Sequence, residues 1–303
     1  MELEASKNLW RGSLAAICCE SLFGLSYLFT KSATGSATAL ALLGWRFVLA
    51  FFIMTLMVMF GFIKVNLKGK KLKPLLSVSI FSPCLYFFGE TVGINHTTAS
   101  ESGILLACIP IASLICSSLI LKEIPSKFQI IGILTTLFGV LLTIAALGLS
   151  SSLSIIGYSF LLMGVLAYAL YSVFVEKAVD YSDVEITYIM LLMGALCFSS
   201  LALGEALWQG QLSSLLMIPF KDQTFLLAVI YQGLACSIGA FFLSNYAISK
   251  IGVNRTSSFV GISTVVSILA GNLILGESIS ILQILGAIII LIGVYTANIN
   301  FEK

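Results

Sequence analysis

The chain has 303 residues, 59% of them apolar and only 10% charged, with a net charge of +2 and a mean hydropathy of +1.07. A soluble domain of this size carries about 25% charged residues, so there is too little polar surface here to solvate a globule, and the excess apolar surface requires hydrocarbon as solvent. Near-neutral charge gives no electrostatic case for nucleic acid, and the seven cysteines, none in a CxxC pair, argue against a disulfide framework or a zinc site.

Ten stretches meet the roughly 20 apolar residues that a helix needs to cross a bilayer. They lie at 12–32, 36–62, 74–94, 99–121, 128–147, 154–175, 185–208, 223–247, 256–275 and 280–299. Lys7 and Arg11 precede the first, as in a signal peptide. Glu20 inside the stretch and a counterpart in the second half argue against cleavage. The loops between stretches are short, so sequential helices are expected to run antiparallel.

Lysine and arginine placement sets the orientation. With the N-terminus cytoplasmic, the inner side holds Lys7, Arg11, Lys64, Lys68, Lys70, Lys71, Lys73, Lys122, Lys127, Lys177, Lys250, Arg255 and Lys303. The outer side holds Lys31 and Lys221, and Arg46 falls within a span. That is 13 against 2 with one inside a span, accounting for all 16. Both termini are therefore expected in the cytoplasm.

An internal repeat organises the spans. KEIPSKFQIIG from Lys122 aligns with GESISILQILG from Gly276 at a constant offset of 154. Glu123 then matches Glu277, Gln129 matches Gln283, Gly132 matches Gly286 and Gly139 matches Gly293. Lys31 and Lys177 align more weakly, at an offset of 146. Five spans per half is odd, so the second half enters the membrane from the other side. The expected fold is an all-α integral membrane protein of ten transmembrane helices, built as two inverted five-helix repeats, 1–148 and 149–303. Secondary transporters use this architecture, with substrate held near the midplane between the halves. The four glycines, paired seven apart and so nearly on one helix face, are expected to let helices approach closely. Glu123 and Glu277 are expected at helix ends, capping the next helix.

The order and spacing of several short motifs carry a family resemblance. They include LFGLSYLFTK from Leu22, with Phe23 where Trp is usual, and Trp45-Arg46-Phe47. FFGETVGINHTTASESGILLACIP ends at Pro110, and each half has Gln-x-x-Gly opening its fifth helix. Together they resemble the EamA-type, ten-helix members of the drug/metabolite transporter superfamily over nearly the whole chain. The resemblance implies a plasma-membrane carrier, often an exporter of amino acids or other metabolites, that uses the proton gradient or exchange.

Ionisable residues inside a span are functional candidates by default. Glu20 lies about 12 Å in from the cytoplasmic end and Arg46 about 15 Å in from the outer end at the helical rise. They either form a buried ion pair that fixes packing, or Glu20 exchanges a proton while Arg46 binds a carboxylate. Glu90, near the outer end of the third span, is either a vestibule acid or an interfacial residue. Glu101 suits a helix N-terminus, and His96 sits in a turn. Tyr27, Tyr86, Tyr168, Tyr171, Tyr231 and Gln232 need partners if buried and are expected to line a wet cavity. Pro83 and Pro110 each free a carbonyl and can kink their helices.

The lone His96, and the absence of HExxH, Walker or Gly-rich phosphate patterns, leave no constellation for catalysis. The expectation is a secondary transporter, not an enzyme, without cofactor or metal. Its partners would be a small-molecule substrate, the lipid bilayer and protons, with no nucleic acid, and a monomer suffices. An importer of organic cations, with Glu20 as counter-charge, and a non-transporting membrane scaffold or sensor are the alternatives.

Overall fold

In hydrocarbon every backbone N–H and C=O must find its partner inside the protein, which leaves the helix as the form for these stretches. The structure, a computed structural model, describes residues 2–33, 37–146, 148 and 152–299. These are helical almost throughout, with no strand among them.

The first repeat runs through α1 (Glu2–Ala33) and α2 (Ala39–Met59) to a broken third span. That span comprises α3 (Lys73–Ser79), a π-helical turn Ile80–Leu85 and α4 (Tyr86–His96). Inside the turn Ser82 leaves helical geometry, at φ −140° and ψ 125°, immediately before Pro83. Next come α5 (Ala99–Leu106), α6 (Ile109–Ile120) and α7 (Lys127–Ala145). The second repeat has α8 (Ile155–Lys177), α9 (Asp183–Trp208) and a short α10 (Leu212–Lys221). Then follow α11 (Gln223–Ile230), a π-helical stretch Tyr231–Ala240, α12 (Phe241–Ser258), α13 (Gly261–Leu275) and α14 (Ile281–Asn298).

Nine helices among the described residues are long and apolar enough to cross a membrane, where ten were expected. The difference lies at one place. Gln223–Ser258 is a 36-residue helical run, about 54 Å at the usual rise against a core of about 30 Å. Gly252 breaks the run at φ +77° and ψ 168°. Residues 253–258 are thereby set off from the rest of α12, just before α13, which by itself is only 15 residues.

The repeat is visible in detail. Ser126 accepts the Gln129 N–H at 3.1 Å, and the Gln129 side chain accepts the Ser126 N–H at 2.8 Å. Ser280 and Gln283 form the same capping box on α14, at 3.2 and 2.9 Å. These serines, not Glu123 and Glu277, cap the helices. A capping oxygen must reach the N–H three residues on, and the glutamates precede the cap by three. Glu123 instead accepts from Asn254 Nδ2 at 3.3 Å, and the Glu277 carboxylate lies against Gly271.

Helices of one half pack mainly on helices of the other. α2 lies on α9, α7 on α14, α4 on α8, and α1 on α12 and α13. Exchanging the halves maps the first two pairs onto themselves and interconverts the α4–α8 and α1–α12 contacts, as a two-fold relation requires. The α7–α14 crossing explains the repeated glycines. A Cβ on Gly139 would lie 2.8 Å from the Gly286 carbonyl oxygen, and one on Gly293 would lie 2.7 Å from that of Gly132. Phe52, Leu119, Phe138 and Leu273 face outward. In water such a surface would aggregate, whereas acyl chains solvate it.

Candidate functional site

The irregular backbone is concentrated where the repeats meet. The third and eighth spans hold equivalent places in the two halves, and both are interrupted by π-helical geometry. Interrupted helices at matched positions are where inverted-repeat carriers place substrate.

Arg46 projects from α2 into this region and is only 5% exposed. Its Nε donates to Ser237 Oγ at 2.6 Å and its Nη1 to Gln232 Oε1 at 3.2 Å, both on the eighth span. Gln232 Nε2 in turn donates to Thr30 Oγ1 on α1 at 2.8 Å. The guanidinium carbon lies 4.8 Å from the Phe87 ring centroid and 5.2 Å from that of Phe47. Nη2 is buried without a hydrogen-bond partner. The close approach of α2 to the eighth span depends on Gly233, where a Cβ would stand 3.2 Å from the Arg46 carbonyl oxygen.

The structure does not pair Arg46 with Glu20. Glu20, 7% exposed, lies beside Ser263, next to α13. The carboxylate in the electrostatic neighbourhood of Arg46 is Glu90. Similar depth on consecutive helices does not fix azimuth, and α1 turns Glu20 toward the ninth span. Glu90 itself accepts from Tyr86 Oη at 3.0 Å, one turn earlier on α4. It follows the break at Ser82 and sits within the bundle, half-buried.

The tyrosines divide into groups. Tyr86 and Tyr168 meet edge-on with centroids 5.4 Å apart, and Tyr168 meets Tyr171 at 5.6 Å. Tyr171, 2% exposed, donates to Asn245 Oδ1 at 2.7 Å, and Asn245 Nδ2 donates to Thr187 Oγ1 at 3.0 Å. Tyr231 spends its hydroxyl on the Leu22 carbonyl at 2.9 Å and stacks on Phe29 at 4.1 Å. The side chain of Tyr27 lies outside the described residues. Arg46 and Gln232 are thus brought together, Glu20 stands apart with Tyr168 nearby, and Tyr171 and Tyr231 serve other contacts. Ser237, Thr30 and Phe87 were not singled out from the sequence. Ser237 is five residues from Gln232, a spacing that an α-helical reading sends to another face.

Two features lie toward the ends of the bundle. At the lysine-rich end a cavity of about 680 Å³ is lined by Glu123, Glu176, Asp183 and Lys250, with Ile186 and Ile248 in its wall. At the opposite end Glu101 completes a capping box with Thr98 and also accepts from Ser152 Oγ at 2.6 Å and from the Tyr158 hydroxyl. Its oxygens are fully engaged in joining α5 to the linker between repeats, and His96 is exposed nearby.

The sequence profile of the EamA-like transporter family matches residues 10–145 and again 155–299. The chain belongs to the EamA-like transporter family. Its relatives include the uncharacterized transporter YcxC of Bacillus subtilis, 33% identical over 96% of this chain and 93% of that protein. Another is the uncharacterized transporter YyaM of the same organism, 26% identical over 91% and 89%. One solved crystal structure superposes with a TM-score of 0.74 at 17% identity, covering 94% of this chain and 96% of the other, which supports the fold. The EamA match covers both halves, and so takes in α2 with Arg46 as well as the eighth span that holds it.

Proposed function

We propose that this EamA-like transporter is an alternating-access secondary carrier that exports an amino acid or a related small metabolite, driven by the proton gradient or by exchange. The observation that carries the reading is Arg46, a buried cation at the seam of the repeats with Nη2 unpartnered. A buried charge in a membrane is expensive and persists where it has work to do. A carboxylate solute would supply the missing partner through charge-assisted hydrogen bonds. Glu20, buried on a different helix and free of Arg46, is available to carry the coupling proton.

In this reading the lysine-rich end faces the cytoplasm of the plasma membrane, with both termini inside. The cavity lined by Glu123 and Lys250 is the cytoplasmic vestibule. The Tyr171–Asn245–Thr187 network closes its inner end, since Thr187 adjoins Ile186 and Asn245 lies about one helical turn from Ile248 in the wall. Residues 253–275 form the ninth of ten crossings, the repeats divide near residue 148, and one chain is a complete carrier.

Counterflow in proteoliposomes, with a panel of amino acids, other carboxylates and organic amines, tests the proposal. Uptake of one or more carboxylate solutes is expected, and Glu20→Gln should slow it and flatten its pH dependence. Wild-type rate and pH profile in Glu20→Gln would remove the coupling role. Absence of flux for every solute would remove the carrier reading.

A further inference from the structure

Span eight is π-helical from Tyr231 to Ala240, and Gln232 and Ser237 are five residues apart within it. On an α-helix five residues advance about 500°, leaving the side chains about 140° apart. With i→i+5 hydrogen bonds the turn widens, and residues five apart stack along one face. Both side chains therefore reach the same guanidinium, Ser237 at Nε and Gln232 at Nη1.

The holders are themselves held. Thr30 takes the Gln232 amide hydrogen at 2.8 Å and passes its own hydroxyl hydrogen to the Ser26 carbonyl at 3.0 Å. That chain turns Oε1 of Gln232 toward Arg46. Tyr231 Oη and Cys236 Sγ pin the π-helical stretch to α1 through the Leu22 carbonyl, at 2.9 and 3.5 Å. Ser237 is fully buried, so water does not compete for Nε. Nε and Nη1 of the guanidinium are thereby committed, and the Phe87 and Phe47 rings lie against it. What remains is Nη2, buried and without a partner. A buried donor left bare is a standing destabilisation that an acceptor relieves.

We propose that Ser237 and Gln232 are positioning residues: the π-helical stretch aligns them to hold Arg46 at Nε and Nη1, so that Nη2 is presented to an anionic group of the solute. This rests on the carrier reading above and deepens it at the same site. Ser237 sets where the guanidinium points, and Arg46 makes the contact. An α-helical register would turn one holder away, and the guanidinium would lose its fixed direction.

The test uses the full chain in detergent, read by melting temperature against ligand concentration. Two probes suit the ring-lined surroundings: 3-phenylpropionate, with a carboxylate and no amine, and phenethylamine, with an amine and no carboxylate. In the wild type 3-phenylpropionate should raise the melting temperature and phenethylamine should not. Ser237→Ala should weaken 3-phenylpropionate about tenfold, the effect of losing one hydrogen bond to a charged group, and Ser237→Thr should restore it. Gln232→Glu, which sets an internal carboxylate on Nη1, should weaken the same probe at least as much and guards against a folding defect in Ser237→Ala. Wild-type affinity in either Ser237→Ala or Gln232→Glu, or no response of the wild type to 3-phenylpropionate, overturns the proposal. Counterflow separates the two readings. Ser237-dependent binding without flux of any solute removes the carrier and leaves the positioning role. Flux of amines, with carboxylates neither bound nor carried, removes the positioning role and leaves the carrier.

Discussion

Arg46 is placed by three kinds of contact: hydrogen bonds to Ser237 and Gln232, ring faces at Phe47 and Phe87, and a bare Nη2. A lysine at the same position is a point charge that cannot satisfy the two holders and still present a third donor in a fixed plane. Arg46→Lys is therefore expected to reduce carboxylate uptake at least about tenfold, from the loss of one charge-assisted contact, in protein normalised for the amount folded in the membrane. Comparable uptake would show that charge alone suffices. Tyr171→Phe tests the other buried network. It leaves Asn245 Oδ1 without its donor at 2.7 Å, which should destabilise the protein by about 1–3 kcal/mol, measured by thermal unfolding in detergent. Arg46 was legible as a functional candidate from its type and depth alone. Its partners were not, because a partner is fixed by azimuth and by the register of another helix.

At the scale of the element, two devices recur across the halves with the same chemistry. The capping boxes on α7 and α14 should each contribute about 1 kcal/mol. Ser126→Ala and Ser280→Ala are expected to give similar drops in melting temperature, and a large effect at only one would show that the repeats are not equivalent there. The glycine crossing between α7 and α14 is stricter. At Gly139 an added Cβ meets the Gly286 carbonyl oxygen and the Ile290 nitrogen, each at 2.8 Å, and neither backbone can step aside. Gly139→Val should cost on the order of 1–3 kcal/mol by overpacking, whereas Gly204→Val, where a Cβ would meet nothing within 4 Å, should be near neutral. Thermal unfolding of both variants measures the contrast. The glycines were readable because a seven-residue spacing keeps one face, and the α7–α14 contact follows that face. The π-helical stretch was unreadable, since an apolar run scores alike in α and π geometry.

For the whole molecule, the 13-to-2 distribution of basic residues predicts sidedness that the bundle's shape does not reveal. In a cysteine-free background, Lys68→Cys should react with an impermeant maleimide only in inside-out vesicles, and Gln211→Cys only in right-side-out ones. The reverse pattern would invert the vestibule assignment and the proposed direction of export. The ten crossings expected from the sequence are not matched one for one by helices long enough to span, of which there are nine among the described residues. Hydropathy divided 223–247 from 256–275, whereas the helical run continues from Gln223 to Ser258 and is broken inside it only by the positive φ of Gly252.

Taken by itself, the sequence determined the solvent, the helical class and the repeat. These depend on composition and on the pattern of residue types along the chain, which need no knowledge of how helices pack. Tertiary structure alone decided that Glu20 does not meet Arg46, that Ser237 does, and that Nη2 is left without a partner. Those facts depend on how helices distant in sequence rotate against one another, and at Tyr231–Ala240 on a widened turn that changes which side chains share a face.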